Sequence, residues 1–398
     1  MRSTLYIILG FSILLFAACE GIFSDVTPRK VFDIFWKDFS STYSYMDAYE
    51  FNKDQGFSSV PNYSVLRESD WQKKAQLNFE TCYAKYNRII NKDSTWQTLW
   101  QNVFLDLVQL LGDQHFRILT LERNMQDPFK DGDFATYFQN EAKKEWPVKL
   151  YADDFKKFTY GIVKTSRNTK HTIGYIYVKE LTKKDQSVME GAIDNWIYLD
   201  KELKNIDVIV EKLRREQIDR IIFDLRTTAG GSLYIPLYIA GRFVTQSATA
   251  FKLLERDNKG DLTRYSTIEV SPQRNTPIAS MPMALLTSKV TCSGSEYLAL
   301  MLKTKDNIVH IGEPSRGCAG LIIERELPDG NIVRYTSTKS WQIKKDGTLY
   351  SYFKKGIQPD IRVDGDPTTK EDEIIEKAIE ILDKDKVFSL LPDSSINK

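Results

Sequence analysis

Hydrophobic positions follow one spacing in the first part of the chain and another in the second. Throughout residues 28–122, apolar residues recur three or four positions apart, which places them on one face of an amphipathic helix. The last of these runs ends at Leu111 and is followed by Gly112, a residue type that commonly closes helices. We therefore predict a small helical bundle over residues 28–122, followed by a polar connecting region over residues 123–171.

From residue 172 onward, short and continuously apolar runs alternate with longer stretches of helical spacing. This alternation is typical of an α/β fold, because helices then cover the strands that precede them. We therefore expect an α/β domain over residues 172–392. The predicted strands are 172–178, 220–225, 283–287 and 307–311, and the predicted helices are 193–213, 233–244, 295–303 and 371–382.

The first residues have the layout of a secretory signal. Arg2 precedes an apolar run over residues 5–16, and two alanines then lead directly to Cys19. We predict a signal peptide over residues 1–18 and lipid attachment at Cys19, followed by a linker over residues 19–27. The protein would then be a lipoprotein of the inner or outer membrane, facing the periplasm or the exterior. A plain signal peptide with an incidental cysteine remains the alternative.

Composition excludes several function classes. The net charge is +1, which argues against a nucleic-acid footprint. Three cysteines follow Cys19, which is too few for a disulfide framework, and we expect Cys292 and Cys318 to be small buried residues. A thiol nucleophile or a redox pair is the alternative for these two. No histidine pairs with another ligand at a metal-site spacing, so we expect neither a metal nor a cofactor.

Acyl-transfer chemistry needs a nucleophile on a rigid turn, a nearby base, and N–H groups directed at the developing oxyanion. Ser293 lies between a predicted strand and a predicted helix, and Gly294 follows it. The Gly230-Gly231 pair ends a neighbouring predicted strand, and His115 follows the last helix of the first part. Each feature is common by itself, because such serines usually cap helices and such glycine pairs usually form turns.

Taken together and in this order, the motifs resemble those of the tail-specific or C-terminal processing peptidases, in particular the tricorn-core-like and retinoid-binding-protein-like branch. That family is similar in fold to the Clp protease/crotonase superfamily, so the resemblance implies a Clp/crotonase-like core. The stretches that carry the resemblance are Leu111 to His115, Asp224 to Gly231, Ser293 to Glu296, Gly312 to Gly317 and Gly356 to Asp360.

The resemblance also implies roles for individual residues. Ser293 matches the nucleophile of the family and His115 matches the base of the tricorn-like branch. Gly230, Gly231 and Gly294 match the oxyanion hole. The implied activity is serine-type hydrolysis of peptides or unfolded proteins, without a cofactor, by a monomer at the cell envelope.

Several positions depart from the family pattern. Cys318 replaces the lysine base of the processing branch, and Phe353 replaces a glutamate that helps to complete the active site. Gln114 stands where a serine often precedes the histidine. Because Phe353 cannot accept a conventional hydrogen bond, Asp113 or Glu296 is the candidate substitute for the missing glutamate. Residues 123–171 also show no clear PDZ segment. A catalytically impaired peptide- or ligand-binding lipoprotein is therefore the main alternative, and another crotonase-like hydrolase or a glycan-associated lipoprotein is a third hypothesis.

Overall fold

The computed structural model describes most of the chain after the N-terminal segment. The described residues are 26–46, 79–119, 124–125, 144, 147–151, 155–163, 169–181, 203–256, 262–273, 277–318, 320–343, 347–366 and 368–384. They divide into two compact units. The first unit holds those up to residue 130 together with those within 255–264 and 321–338, and the second unit holds the others. The predicted signal peptide and Cys19 lie outside the described residues.

Helices and strands are numbered here in chain order. The helices are α1 (Pro28–Thr42), α2 (Phe79–Lys92), α3 (Asp106–Leu111), α4 (Asn205–Arg215), α5 (Tyr234–Ala240), α6 (Gly294–Leu302) and α7 (Glu373–Leu382). The strands are β1 (Arg117–Leu119), β2 (Asn124–Met125), β3 (Val148–Leu150), β4 (Phe158–Val163), β5 (Ile173–Val178), β6 (Arg220–Asp224), β7 (Ala248–Arg256), β8 (Leu262–Val270), β9 (Met283–Thr287), β10 (Ile308–Gly312), β11 (Ile322–Glu326), β12 (Ile332–Thr336), β13 (Thr338–Ile343), β14 (Leu349–Ser351) and β15 (Ile361–Arg362).

The first unit contains the helices that the apolar spacing predicts. The hydroxyl of Thr27 accepts the N–H of Lys30 and so caps α1, whose first residue is Pro28. A π-helical segment, Thr98–Leu105, continues directly into α3. Gly112 closes α3 with a φ of 53°, a left-handed conformation that glycine adopts without steric penalty.

A four-stranded sheet that the sequence analysis did not predict completes the first unit. Its order is β11-β12-β1-β2, and all its neighbours are antiparallel. Aromatic side chains form much of the core, and edge-to-face contacts link Phe39 to both Phe116 and Tyr335. The helices therefore share their core with strands from much later in the sequence, and the unit is not a pure helical bundle.

A seven-stranded sheet of order β15-β10-β9-β6-β5-β4-β3 organises the second unit. The five strands from β15 to β5 are parallel, whereas β4 and β3 are antiparallel additions at one edge. All residues of β9 and β10 are buried, as expected for parallel strands covered on both faces. The structure confirms the four predicted strands and the α/β fold class.

Helices cover the sheet of the second unit. The apolar face of α7 packs against β5, β6, β9 and β10 in one continuous hydrophobic cluster. Asp372 caps α7 by accepting the N–H of Ile375 at 3.0 Å. A further sheet of order β14-β13-β7-β8 was not predicted. In the part of the chain that is described, no helix combines the length and the apolar character needed to cross a membrane.

Candidate active site

Ser293 lies at the junction between the loop after β9 and the first residue of α6. Its backbone has a φ of 56° and a ψ of −119°, a combination that residues with a side chain rarely adopt. Such a conformation costs on the order of 1–3 kcal/mol and persists only where the surroundings impose it. Strained turns of this kind, between a buried strand and a helix, expose the serine of known hydrolases.

Polar side chains in the loop impose this turn. The hydroxyl of Thr291 donates to the carbonyl of Leu225 at 2.9 Å and accepts the N–H of Ser288 at 3.0 Å. The hydroxyl of Ser295 donates to the carbonyl of Thr228 at 2.6 Å. These buried bonds attach the segment that contains Ser293 to the loop that follows β6.

The three predicted oxyanion glycines come together at this turn. A Cβ atom on Gly230, whose φ is 101°, would lie 2.5 Å from the carbonyl oxygen of Cys292 and 2.9 Å from the Cβ of Ser293. A Cβ atom on Gly294 would lie 2.9 Å from the nitrogen of Gly231. Any side chain at these glycines would therefore collide with the facing backbone.

Among the residues that the structure describes, two backbone N–H groups at this point have no hydrogen-bond acceptor. Gly294 is the first residue of α6, so its N–H has no partner within the helix. Gly231 forms an isolated β-bridge with Leu181, but the N–H that donates to the Leu181 carbonyl is that of Ser232 and not that of Gly231. Among the described residues, neither Gly231 nor Gly294 donates a backbone hydrogen bond. The positive end of α6 adds a favourable potential for an anion.

A buried ion network anchors the glycine loop. The guanidinium of Arg226 donates to Asp224 at 2.8 Å and to Asp372 at 2.8 Å, and all three side chains are almost fully buried. The hydroxyl of Tyr175 donates to Asp224 at 2.8 Å. The start of the loop is thereby fixed to β5 and to the N-terminus of α7.

The carboxylate of Glu296 is buried beneath the turn. Its Oε2 accepts the N–H of Ser293 at 2.8 Å and that of Cys318 at 2.9 Å. Its Oε1 accepts the hydroxyl of Ser315 at 2.6 Å and the N–H of Gly317 at 2.7 Å. Burial raises the pKa of Glu296 to about 7, although all four hydrogen bonds oppose this shift.

Cys292 and Cys318 form a disulfide, which corrects the expectation of two independent buried cysteines. Sequence spacing could not show the pairing because 26 residues separate the two positions, and only folding brings them together. The sulfur atoms and the carboxylate of Glu296 lie within 4.8 Å of one another. Oxidised sulfurs are poor metal ligands, so this cluster is not a metal centre.

His115 belongs to the first unit and is almost completely buried there. Its backbone N–H donates to Asp113 Oδ1 at 2.9 Å, and its ring Nδ1 lies 3.4 Å from the hydroxyl of Thr336. Burial lowers the pKa of His115, Asp113 opposes this, and Arg117 and Arg334 reinforce it. The ring is therefore neutral near pH 7, with Thr336 beside the nitrogen that an orienting group would bind.

Glu296 and Asp113, the two carboxylates proposed to replace the missing glutamate, differ in their contacts. Both oxygens of Glu296 are already occupied, Oε2 by the N–H groups of Ser293 and Cys318 and Oε1 by the hydroxyl of Ser315 and the N–H of Gly317. Asp113 Oδ2 has no hydrogen-bond partner among the described residues. Phe353 is buried, and the ammonium nitrogen of Lys354 lies 5.4 Å from the centre of its ring. Lys354 in turn donates its backbone N–H to Gly317 at 2.9 Å, so Phe353 lies next to the loop that Glu296 holds.

Sequence reasoning missed Thr336 and understated Glu296. The Ser293-x-x-Glu296 spacing is that of a capping box, in which the side chain of the third helical residue binds the N–H of the capping residue. That signal could have placed Glu296 under the turn. No local signal indicates Thr336, because it approaches His115 only through pairing of β12 with β1.

Comparisons with known proteins identify the second part of the chain. The family model for peptidase family S41 matches residues 172–363. A CtpA-like serine protease of Staphylococcus haemolyticus is 26% identical over 191 residues, which cover 48% of this chain and 36% of that protein. A carboxyl-terminal-processing protease of Picosynechococcus is 26% identical over 261 residues, which cover 64% of this chain and 59% of that protein. The chain thus spans about a third to three-fifths of the length of these relatives.

The fold has a counterpart among solved structures. A crystal structure described as that of a peptidase candidate from Parabacteroides merdae superposes with a TM-score of 0.61. The match covers 90% of this chain and 97% of the other at 18% identity. At that identity the likeness concerns the fold, which the two chains share over nearly their whole length. The matched region, 172–363, contains Gly230, Gly231, Ser293 and Gly294. Residues 172–363 therefore match peptidase family S41, the family of the tail-specific or C-terminal-processing peptidases.

Proposed function

We propose that the protein is a serine peptidase that cleaves peptide bonds through an acyl-enzyme on Ser293. The observation that carries this proposal is the strained backbone of Ser293 beside two N–H groups without acceptors, those of Gly231 and Gly294. A plain helix cap leaves N–H groups unpaired as well, but it does not need a strained backbone at the capping residue. A nucleophile beside an oxyanion site needs both the strain and the unpaired donors.

In the proposed reaction, Ser293 Oγ attacks the carbonyl carbon of the scissile peptide bond while His115 accepts the hydroxyl proton. The N–H groups of Gly231 and Gly294 donate to the oxyanion, and Gly230 leaves room for the substrate. His115 then returns the proton to the leaving nitrogen, the C–N bond breaks, and an acyl ester remains on Ser293. Water, deprotonated by His115, hydrolyses the ester and regenerates the serine.

Two observations favour His115 over a lysine as the base. Burial keeps the imidazole neutral, which is the form that accepts a proton. Cys318, at the lysine position of the processing branch, is held in a disulfide and cannot act as a base. His115 and Ser293 belong to different units, so their approach is part of the proposal.

We also propose an exported, lipid-anchored protein that faces the periplasm or the exterior and acts on peptides or unfolded proteins. The disulfide between Cys292 and Cys318 supports export, because disulfides persist in oxidising compartments and are rare in the cytosol. Cys19 is the proposed lipid attachment site.

A second candidate function is peptide binding without efficient cleavage. The buried ring of Phe353 favours it, because a phenyl group cannot accept a hydrogen bond from an imidazole. In that case the N–H groups of Gly231 and Gly294 would bind a carboxylate or carbonyl of a ligand without turnover.

Cleavage of β-casein, an unstructured protein, tests the proposal. The wild type should cleave it, Ser293→Ala should abolish cleavage, and His115→Ala should reduce the rate at least about 1,000-fold while substrate binding persists. Binding of β-casein by the wild type without cleavage would instead support the second candidate function.

A further inference from the structure

The buried carboxylate of Glu296 joins two separate segments of the second unit. One is the turn that contains Ser293, which we call the nucleophile turn and which Glu296 binds through the N–H of Ser293. The other is the loop of residues 315–318, through the hydroxyl of Ser315 and the N–H groups of Gly317 and Cys318. We call this loop the clamp loop. The Cys292–Cys318 disulfide joins the same two segments covalently.

The four bonds depend on the charge of the carboxylate. An ionised carboxylate only accepts hydrogen bonds, whereas a protonated one must also donate one. Three of the four partners of Glu296 are backbone N–H groups, which cannot reverse direction. Only the Ser315 hydroxyl could accept, and it would then have to turn its own proton away from Glu296 while its oxygen keeps the N–H of Ile357 at 2.7 Å. Protonation would also replace charge-assisted bonds with neutral ones of roughly half the strength.

The bond to Ser293 matters most for chemistry because it fixes a strained residue. The N–H of Ser293 donates to Glu296 Oε2 at 2.8 Å, which holds the peptide plane of a backbone whose φ is 56°. A weaker bond allows the turn to relax, and the side chain of Ser293 would then move away from its position beside Gly230.

We propose that Glu296 is a positioning residue whose ionised carboxylate holds Ser293 in its reactive conformation against the clamp loop, so that protonation of Glu296 lowers the reactivity of Ser293. This inference rests on the proposed function of Ser293 as the nucleophile.

Few charged groups of the described residues face Glu296. Tyr297, its neighbour on α6, is a titratable group whose pKa the charge of Glu296 raises, and the Tyr297 hydroxyl lies 3.2 Å from that of Ser340. The two cysteines beside the carboxylate are oxidised and do not titrate. Burial raises the pKa of Glu296 to about 7. Deprotonation of Glu296 should therefore dominate any rise in reactivity near neutral pH, while protonation of His115 acts at lower pH.

The test measures the rate at which a fluorophosphonate labels the oxidised, full-length protein as a function of pH. In the wild type the rate should rise at least about tenfold as the pH increases through about 7. Glu296→Gln keeps the volume but not the charge, so its labelling should be at least about tenfold slower than that of the wild type above this pH and should lack the rise near neutrality.

Two serine substitutions make a matched pair. Ser315→Ala removes one donor that favours the ionised form of Glu296, so the rise should move to higher pH. Ser340→Ala removes a buried hydroxyl that contacts Tyr297 but not Glu296, and its pH profile should match the wild type. If Glu296→Gln fails to fold, the pH profile of Ser315→Ala still tests whether the ionised carboxylate of Glu296 positions Ser293.

The outcomes separate this inference from the proposed function. Absence of labelling in the wild type at every pH contradicts the proposed function. Labelling of the wild type at Ser293, combined with an unchanged profile in folded Glu296→Gln or an unshifted rise in Ser315→Ala, overturns the role of Glu296 and leaves the nucleophile intact. An unshifted rise in Ser340→Ala with a shifted one in Ser315→Ala supports the role.

Discussion

Cys292, which directly precedes Ser293 in the chain, forms a disulfide with Cys318, and the two Cα atoms lie 5.4 Å apart. Reduction should therefore loosen both the fold and the nucleophile turn. For a separation of 26 residues, chain entropy predicts a loss of about 3.5 kcal/mol in the free energy of unfolding. Urea unfolding of the double variant Cys292→Ala/Cys318→Ala, compared with the wild type, measures this loss.

Cys82 provides the control for this experiment because it is a buried cysteine without a disulfide. Reduction of the disulfide in Cys82→Ala should lower the free energy of unfolding as much as the same reduction does in the wild type. If a reductant leaves the unfolding midpoint of the wild type unchanged while the thiols become accessible, the disulfide does not stabilise the folded state.

Gly230→Ala should disable the site without unfolding the second unit. The new Cβ would lie 2.5 Å from the carbonyl oxygen of Cys292, at a φ of 101° that alanine adopts poorly. Displacing this loop moves the N–H of Gly231, and loss of one oxyanion donor lowers turnover about 100- to 1,000-fold. Gly365→Ala is the control, because no atom of the described residues, its chain neighbours aside, lies within 4 Å of its added Cβ. Equal β-casein cleavage by both variants would argue against an oxyanion site here.

Asp372→Ala should destabilise the second unit strongly. Arg226 would lose one of its two carboxylates in a site where both partners are 2% exposed. Breaking a buried ion pair by removing one partner costs about 3–5 kcal/mol. Asp364, which pairs with Arg362 at the surface, is the matched control, and its replacement by alanine should change stability by less than about 1 kcal/mol. Similar unfolding midpoints for the two variants would show that the network is not a major anchor.

His310 should make stability decrease with acidification. Burial lowers its pKa to about 3, Lys303 adds to this, and Asp360 opposes it. A histidine in the unfolded chain titrates near about 6.5, so between these values the unfolded state binds more protons and the folded state loses stability as the pH falls. From about pH 7 to about pH 4.5, the wild type should lose up to about 2.5 kcal/mol more than His310→Gln.

Urea titrations of the wild type and His310→Gln at several pH values give this difference directly. Both proteins must be measured because Glu296 changes the free energy of unfolding with pH in the opposite direction to His310. Its pKa is raised to about 7, so in the same range the folded state binds more protons and gains stability as the pH falls. Parallel stability curves for the two proteins would contradict the assignment of a neutral, buried His310.

The strands that could be predicted from the sequence are those whose burial is nearly uniform. The runs that became β9 and β10 are apolar without interruption because both faces of the sheet are covered. Strand β12 escaped prediction because its partners, β1 and β11, include a segment more than 200 residues earlier, and its own sequence mixes charged and apolar residues. Local periodicity does not report such pairing.

The features of the candidate site also differ in how far the sequence predicts them. Ser293 and the glycines follow short local motifs, because strand–helix turns and close backbone approaches demand particular residue types. The disulfide and the contact between His115 and Thr336 depend on segments that only the folded chain brings together. For the same reason the pairing of His115 with Ser293 stays a prediction.

The site of the fluorophosphonate adduct tests the central claim most directly. Tryptic digestion and mass spectrometry of the labelled wild type should place a single adduct on Ser293, and Ser293→Ala should carry none. An adduct on another residue, or no adduct on correctly folded protein across the accessible pH range, would contradict the assignment of Ser293 as the nucleophile.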